Sequence, residues 1–122
     1  MPLINVNPTS TEAWKNLSGH FKEIKAVHMK SLFQADKDRK ENLSLQFEDL
    51  SLDFSKNRIT EETLNYLLRL AHECKLEDAI EKYFGGDLIN ATENRAVLHT
   101  ALRNIDQKPI KVEGLDIMPE IN

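Results

Sequence analysis

The first third of the chain alternates apolar and polar residues with the period of an α-helix. An extended lead-in with two prolines covers residues 1–8, and Thr9 with Glu12 has the spacing of a capping box. We therefore predict a helix that begins near residues 9–11 and runs to about Phe33. Its apolar stripe recurs at steps of three and four residues: Trp14, Leu17, Phe21, Ile24 and His28.

After a polar connection over residues 34–42, the period changes to two. Residues 43–47 and 50–54 each alternate apolar with polar side chains, and Glu48 and Asp49 separate the two runs. This pattern predicts a β-hairpin with one buried face. Because an isolated hairpin is marginally stable in water, we expect helices to cover that apolar face.

Three further helices are predicted after the hairpin. Thr60, followed by two glutamates, is a plausible cap for a helix that ends near Ala71. A shorter helix starts near Leu76 and stops at the pair Gly85–Gly86, because glycine readily adopts the left-handed conformation that ends helices. A fourth helix is expected to begin at Asn90 or Thr92, with Ala96, Val97, Ala101 and Leu102 as its apolar residues.

The last residues combine a strand signal with a helix signal. Apolar residues on both sides of Gly114 indicate a short extended pair over residues 110–117. Met118, Pro119 and Glu120 then have the composition of a helix start, with proline and an acidic residue in the first turn. Such a start so near the final residue favours a segment of a longer chain, and a short disordered tail is the alternative. The fold class predicted from these patterns is mainly α with a short β-hairpin, an α+β piece.

Composition narrows the classes of partner. The 122 residues suit one small domain, and a net charge of −4 without blocks of like charge gives no basic surface for nucleic acid or for an anionic membrane. No apolar run approaches the ~20 residues that cross a bilayer, and residues 1–10 lack the pattern of a secretory signal. The single cysteine, Cys74, cannot form an internal disulfide and suits a reducing, cytoplasmic compartment.

The residues that carry chemistry form no recognisable constellation. None of the four histidines has a His, Cys or acidic partner at a metal-binding spacing, and His72–Glu73 lacks a second histidine four positions after His72. We interpret His28 and His99 as hydrogen-bonded structural histidines. No phosphate-binding glycine loop and no nucleophile elbow is present. From the pattern alone we assign no catalytic, substrate-binding or metal-binding residue.

Four runs resemble the glucose-6-phosphate isomerase family, also called the phosphoglucose isomerase family. The first is Trp14 followed by HFKEI at residues 20–24 and HMKSLF at 28–33, and the second is LDFSKNRI at 52–59. The third is INATENRAVLHTALR at 89–103, and the fourth is VEGLDIMPEIN at 112–122. All four occur in the family's order and spacing. Asn94 stands where many members of the family have Gly or Asp, and Ile117 where many have Val.

The resemblance implies an α/β sugar-isomerase-type enzyme of which this chain is the amino-terminal helical lead-in with a small hairpin, over residues 1–122. Such an enzyme interconverts glucose 6-phosphate and fructose 6-phosphate through a cis-enediol in glycolysis and gluconeogenesis, without a metal or organic cofactor. It would work in the cytoplasm as a homodimer on a sugar phosphate. The family's base, its cationic helpers and its phosphate loop match no position here, so we expect the segment alone to be inactive.

Four residues of the third run are expected to be structural: Thr92, Glu93, Arg95 and His99. We expect the side chain of Arg95 to cap or pair within the fold and His99 to fill a buried polar slot, since buried charges and imidazoles usually have such partners. The alternative for the whole chain is a standalone helical module that binds another protein.

Overall fold

The computed structural model describes residues 2–121 and is mainly α-helical with short antiparallel hairpins. The chain forms two compact units, Asn7–Glu73 and a second unit made of residues 2–6 with 74–121. The first unit contains α1 (Glu12–Ile24), α2 (Met29–Ala35), α3 (Arg39–Asn42), β1 (Ser44–Phe47), β2 (Leu50–Asp53) and α4 (Glu61–Glu73). The second contains α5 (Leu76–Gly85), β3 (Lys111–Val112), β4 (Leu115–Asp116) and α6 (Met118–Ile121).

The first helix begins at a different cap from the predicted one. Thr11 is the N-cap of α1, and its hydroxyl accepts the Trp14 N–H at 3.2 Å. Thr9 lies instead in a 3₁₀ turn (Pro8–Ser10), where the side chain of Asn7 accepts its N–H at 3.1 Å. The predicted capping box of Thr9 and Glu12 is wrong because Asn7 caps this earlier turn and α1 starts only after it.

The predicted single helix to Phe33 is also wrong, because the chain leaves the helical conformation after α1. His28 is extended, with φ −78° and ψ 143°, and its Nδ1 accepts the Lys30 N–H at 3.1 Å. An imidazole that caps α2 ends one helix and begins the next, so the apolar stripe does not continue through His28. The interpretation of His28 as a hydrogen-bonded structural histidine is confirmed.

The helices α1 and α4 pack side by side in opposite directions. The carboxylate of Glu73, at the end of α4, accepts the N–H of Ala13 at 3.1 Å, near the start of α1. Further along, His20 of α1 contacts Thr63 near the start of α4 at 2.7 Å. Ala13 is fully buried, and its small side chain permits close approach at this end. A carboxylate at a helix N-terminus also offsets the positive end of the helix dipole.

The predicted β-hairpin is confirmed, but its apolar face is not covered. Leu45 pairs with Leu52, and Phe47 pairs with Leu50, across the Glu48–Asp49 turn. All four apolar side chains are exposed, with Phe47 at 72%. The expected helical cover is therefore wrong for the part of the chain that the structure describes. Next to the hairpin, Leu43 lies just before β1 and is buried. Its carbonyl accepts the Phe54 N–H at 3.0 Å.

In the second unit, α5 forms and stops as predicted. Gly86 is the C-cap with φ 83°, a left-handed conformation that L-residues rarely adopt. A Cβ added at Gly86 would lie 2.7 Å from the carbonyl oxygen of Lys111. Gly86 is thus required both by the end of the helix and by the close approach of β3.

The predicted fourth helix is absent from the described residues 90–100, which form a turn instead. Asn90 and Arg95 pair through their backbones in both directions, and Asn94 has φ 52°. The Asn90 side chain accepts the Thr92 hydroxyl at 2.8 Å and lies 3.4 Å from the Glu93 N–H. Local side-chain hydrogen bonds of this kind compete with the helical pattern. The next helical element after this turn is the short 3₁₀ turn Ala101–Arg103.

The end of the described chain agrees with its predicted elements. β3 and β4 pair across a two-residue turn in which Glu113 and Gly114 both have positive φ, the geometry favoured in tight hairpins. The carboxylate of Asp116 then accepts the Met118 N–H at 3.1 Å, and α6 begins with Met118 buried. Across residues 2–121, no helix has both the length and the apolarity needed to span a bilayer.

One buried guanidinium organises the loop that joins β2 to α4. Arg39 is only 3% exposed. Its Nε donates to the carbonyl of Ser55 at 2.9 Å, and its Nη2 donates to the carbonyls of Asn57 at 2.8 Å and Ile59 at 2.9 Å. The guanidinium also stacks 5.4 Å from the centre of the Phe33 ring. A single side chain therefore satisfies three loop carbonyls and ties the loop to α2 and α3.

At the loop's start, a carboxylate adds a second anchor. Asp53 accepts the Ser55 N–H at 2.9 Å, and the hydrogen bonds from Ser55 hold the pKa of Asp53 below its ordinary value. Because the folded-state pKa is lowered, this contribution to stability is present above about pH 4 and is lost as the pH falls through the folded-state pKa.

We expect Arg39→Lys to destabilise the Asn7–Glu73 unit strongly although it keeps the charge. An ammonium cannot reach three divergent carbonyls in the fork geometry of a guanidinium, so the loss should be about 2–3 kcal/mol in the free energy of unfolding. Urea denaturation followed by the fluorescence of Trp14, the only tryptophan, measures it. Arg69→Lys on the exposed side of α4 is the control and should change stability by less than about 0.5 kcal/mol. Equal effects of the two substitutions would contradict the role of Arg39.

Candidate functional site

The four residues singled out by sequence lie in the 90–100 turn and its continuation. Thr92, Glu93, Arg95 and His99 are all exposed. Thr92 and Glu93 contact the side chain of Asn90, which accepts the Thr92 hydroxyl and donates to the Glu93 carboxylate at 3.4 Å. These contacts close the turn, and the positive φ of Asn94 completes it. Glycine and asparagine are the residues that tolerate such a conformation most readily.

Arg95 and His99 differ from the predicted arrangement. Arg95 is held through its backbone N–H and carbonyl, both paired with Asn90, and within residues 2–121 its guanidinium has no hydrogen-bond or ion-pair partner. His99 is exposed, so the buried polar slot expected for it is wrong. A structural role for the four residues stays a prediction.

A cavity of about 540 Å³ lies next to this turn. Its wall includes Ala91 and Asn94 from the turn, the Gly85–Gly86 end of α5 and the Glu113–Gly114 turn. Its charged residues are Lys111 together with Asp87 and Glu113. Two carboxylates against one ammonium give a site that does not attract a phosphate group. The side-chain charges that line this cavity therefore do not favour an anionic ligand.

Within the described residues, an imidazole, a hydroxyl and a carboxylate lie close together between α1 and α4. His20 is 6% exposed, and its Nε2 lies 2.7 Å from the hydroxyl of Thr63. Its Nδ1 faces the carboxylate of Glu62 at 3.6 Å. The order hydroxyl, imidazole, carboxylate is the order of groups in hydrolase triads, so the arrangement requires a chemical test.

One tautomer of His20 gives both hydroxyl protons of the cluster an acceptor. The Thr63 hydroxyl oxygen already accepts the Thr60 N–H at 3.0 Å, and the Thr60 hydroxyl lies 3.2 Å from it. If the Thr63 hydroxyl donates to Nε2 of His20, the Thr60 hydroxyl can donate to the Thr63 oxygen. Both hydroxyl protons then have an acceptor. Nδ1 then carries the imidazole hydrogen and directs it toward Glu62. That nitrogen lacks a partner at hydrogen-bond distance in the described chain.

The surroundings make this cluster a buried link between α1 and α4. Thr63 is buried at 7% exposure and is held by Thr60 on one side and His20 on the other. At this exposure the hydroxyl presents little surface to a substrate. The adjoining cavity of about 550 Å³ is lined by Glu23, Asp36, Glu61 and Glu62 among others. This acidic wall repels an anionic sugar phosphate.

Two further observations describe the electrostatics of the cluster. The Tyr66 hydroxyl donates to Glu62 at 3.1 Å, which raises the pKa of Tyr66 above its ordinary value. The Tyr66 ring also lies 5.6 Å from the His20 ring. Over residues 2–121, no set of three or more His, Cys, Asp or Glu side chains is placed to hold a metal ion.

The sequence patterns did not predict that His20 and Arg39 are buried. The sequence offers a signal for one of these residues and none for the other. His20 belongs to the stripe formed by Leu17, Phe21 and Ile24, since it stands three residues after Leu17 and four before Ile24. A histidine on such a face predicts a polar contact in the core. Arg39 lies in the polar connection before the hairpin, and no periodicity marks it as buried.

We expect Thr63→Val to destabilise the Asn7–Glu73 unit because it removes the hydroxyl 2.7 Å from the buried Nε2 of His20 and leaves that nitrogen only the Thr60 hydroxyl at 3.4 Å. The loss should be about 1–3 kcal/mol in the free energy of unfolding, measured by urea denaturation with Trp14 fluorescence. Thr63→Ser keeps the hydroxyl and should lose less than half as much. If Thr63→Val were as stable as Thr63→Ser, the link would be wrong.

Comparisons with known proteins agree with the four sequence runs. The family model described as phosphoglucose isomerase matches residues 53–122. A glucose-6-phosphate isomerase of Christiangramia forsetii is 56% identical over 117 residues, which cover 96% of this chain and 22% of that relative. The chain thus spans about a fifth of the length of the curated relative. With a family match over more than half of its residues, the chain belongs to the phosphoglucose isomerase family.

Proposed function

We propose that this chain serves as the amino-terminal scaffold of a glucose-6-phosphate isomerase, an intramolecular oxidoreductase of the aldose–ketose type. The parent enzyme interconverts glucose 6-phosphate and fructose 6-phosphate in glycolysis and gluconeogenesis. The observation that carries the proposal is the 56% identity to a glucose-6-phosphate isomerase across 96% of the chain. Such identity, spread over nearly every element, is typical of proteins that share one function.

The distribution of chemical groups supports a scaffold rather than a catalytic role for these residues. Isomerisation of a sugar phosphate requires a base at the carbon acid, stabilisation of the enediol charge and a cradle for the phosphate. The described histidine–threonine–glutamate cluster is closed to substrate, and the two cavities described above carry more carboxylates than cations. We therefore expect residues 2–121 alone to bind no sugar phosphate and to perform no proton transfer.

The surface of the chain supports the same conclusion. Its accessible area is 9570 Å² for a mass of 14.0 kDa. A self-contained monomer of this mass exposes about 6700 Å², and two independent domains of half the mass expose about 8100 Å² together. The exposed large apolar side chains include Phe21, Phe47 and Leu115. Apolar surface of this extent is typical of faces that other parts of an assembly cover.

The remaining properties of the parent enzyme follow the family. We place its sugar-phosphate site in the sugar-isomerase domains outside these residues, with a homodimer as the working form and the cytoplasm as its compartment. No metal and no organic cofactor takes part in the proposed reaction. The lone thiol of Cys74, which is partly exposed, fits a reducing compartment.

A chimera tests the proposal directly. The aligned segment of the Christiangramia enzyme is replaced by this chain, and isomerase activity is followed by coupling fructose 6-phosphate conversion to a glucose-6-phosphate dehydrogenase. We expect kcat/KM within about tenfold of the parent, a change of about 1.4 kcal/mol or less in transition-state stabilisation. The matched control carries Arg39→Ala in the same chimera and should lose soluble, active enzyme. A well-folded chimera without activity would refute the proposal.

The isolated chain gives a second expectation. Purified and assayed alone under the same conditions, the 122 residues should show no isomerisation above the buffer blank. The reason is that no described base, phosphate site and cation converge on one open cavity. Turnover that survives further purification would place catalytic groups within this chain.

A further inference from the structure

The cavity of about 550 Å³ beside the histidine–threonine–glutamate cluster is formed by residues of the Asn7–Glu73 unit alone. Among the described residues, its charged wall holds four carboxylates without a lysine or an arginine: Glu23, Asp36, Glu61 and Glu62. Within residues 2–121, none of the four is in a salt bridge with a lysine or an arginine. Carboxylates that face one concavity without compensating cations attract a positive ligand.

A buried nitrogen faces the same cavity. His20 belongs to its wall although the residue is only 6% exposed, and its Nδ1 has no hydrogen-bond partner in the described chain. The carboxylate of Glu62, in the same wall, lies 3.6 Å from Nδ1, which is too far for a hydrogen bond. Because a buried polar atom without a partner is costly, a ligand that bonds to Nδ1 gains free energy there.

The hydroxyls on the other side of His20 allow Nδ1 to act as an acceptor. If Nε2 carries the ring hydrogen, it donates to the Thr63 oxygen at 2.7 Å, and the Thr63 hydroxyl can donate to the Thr60 oxygen at 3.2 Å. Thr60 lines the cavity, so its own proton can be donated to water. Nδ1 then directs a lone pair toward Glu62. A lone pair opposite a carboxylate is a site for a group with two or more N–H donors.

The arrangement favours an ammonium group over a metal ion. A protein metal site usually has at least three side-chain ligands, and residues 2–121 place no such set together. The Glu62 side chain is 60% exposed, so its carboxylate can move to admit a ligand next to Nδ1. An ammonium group inserted there replaces the 3.6 Å gap by two hydrogen bonds, one to the imidazole and one to the carboxylate.

The rest of the wall favours a ligand with a second charge. One ammonium group compensates one carboxylate and leaves three, so a single lysine side chain from elsewhere in the parent enzyme fits the charge poorly. Ile24 and Ala35 also line the cavity. Their apolar surface can cover the methylene groups that join two ammonium groups.

We propose that this cavity binds a free aliphatic diamine, a small molecule with an ammonium group at each end of a short methylene chain. One ammonium group donates to Nδ1 of His20 and to Glu62, and the other pairs with the remaining carboxylates. The bound diamine stabilises the contact between α1 and α4, because only the folded unit holds these groups together. The site does not depend on which reaction the parent enzyme performs.

NMR titration of the isotope-labelled chain with diaminobutane at low ionic strength tests the proposal. We expect a dissociation constant of about 1 mM for the diamine and about tenfold weaker binding of butylamine, which has one charge. On saturation, the Nδ1 resonance of His20 should move to the position of a ring nitrogen without hydrogen. The His20→Gln variant identifies that resonance by its loss. Magnesium chloride at the same concentration should leave the resonance unchanged.

A charge-matched pair of variants locates the site. Glu23→Gln with Glu61→Gln removes two side chains that accept no hydrogen bond within residues 2–121, so the unit should fold. We expect this double variant to bind the diamine about tenfold more weakly. Glu12→Gln with Glu48→Gln makes the same change of charge at exposed residues outside the cavity and should bind as the unchanged chain does. Circular dichroism checks the fold of each variant.

The chimera described above separates a free ligand from a side chain of the parent enzyme. Equilibrium dialysis of labelled diaminobutane should give the chimera an affinity similar to that of the isolated chain, and the Glu23→Gln, Glu61→Gln chimera should bind more weakly. Binding is measured whether or not the chimera is active, so a failure here is distinct from a failure of the proposed function.

The proposal is wrong if diaminobutane leaves the His20 resonance unchanged, or if magnesium or butylamine has the same effect at the same concentration. Equal binding by the two double variants would show that the diamine responds only to net charge. A folded chimera that does not bind the diamine would show that the remainder of the enzyme fills the cavity, which also contradicts a free ligand.

Discussion

The buried guanidinium of Arg39 is the interaction on which the Asn7–Glu73 unit depends. The loop between β2 and α4 carries carbonyls that the hairpin and the helix cannot satisfy, and Arg39 binds those of Ser55, Asn57 and Ile59. A buried cation is costly unless its donors are used, and here backbone dipoles rather than a carboxylate use them. The loop position in turn sets the start of α4, and with it the contact of Thr63 with His20.

Periodicity predicted the elements whose stabilisation is local. The hairpin, α4, α5 and the pair around Gly114 all appear because alternation, caps and glycine stops act over a few residues. The errors occur where side chains compete with the helical backbone. His28 caps α2 and breaks the first stripe, and Asn90 with Asn94 turns the chain where the spacing of apolar residues predicted a helix.

The polar centres were harder to predict because they depend on tertiary contacts. Arg39 sits among polar residues, and only the fold shows that three carbonyls converge on it. His20 was recognisable from its place on the α1 stripe, but its partners Thr63 and Glu62 lie more than forty residues further on. The family was predicted from four runs whose local conformation was in part misread. Sequence resemblance and secondary-structure patterns therefore carry independent information about this chain.

The exposed ladder of Leu45, Phe47, Leu50 and Leu52 has a consequence for handling the isolated chain. β1 and β2 form a sheet of two strands, so each strand has an outer edge whose backbone groups can accept another strand. An open apolar face beside two free edges is a template for stacking one molecule on the next. We therefore expect this hairpin to promote β-rich aggregation in concentrated stocks, and a solubilising substitution belongs at its exposed leucines.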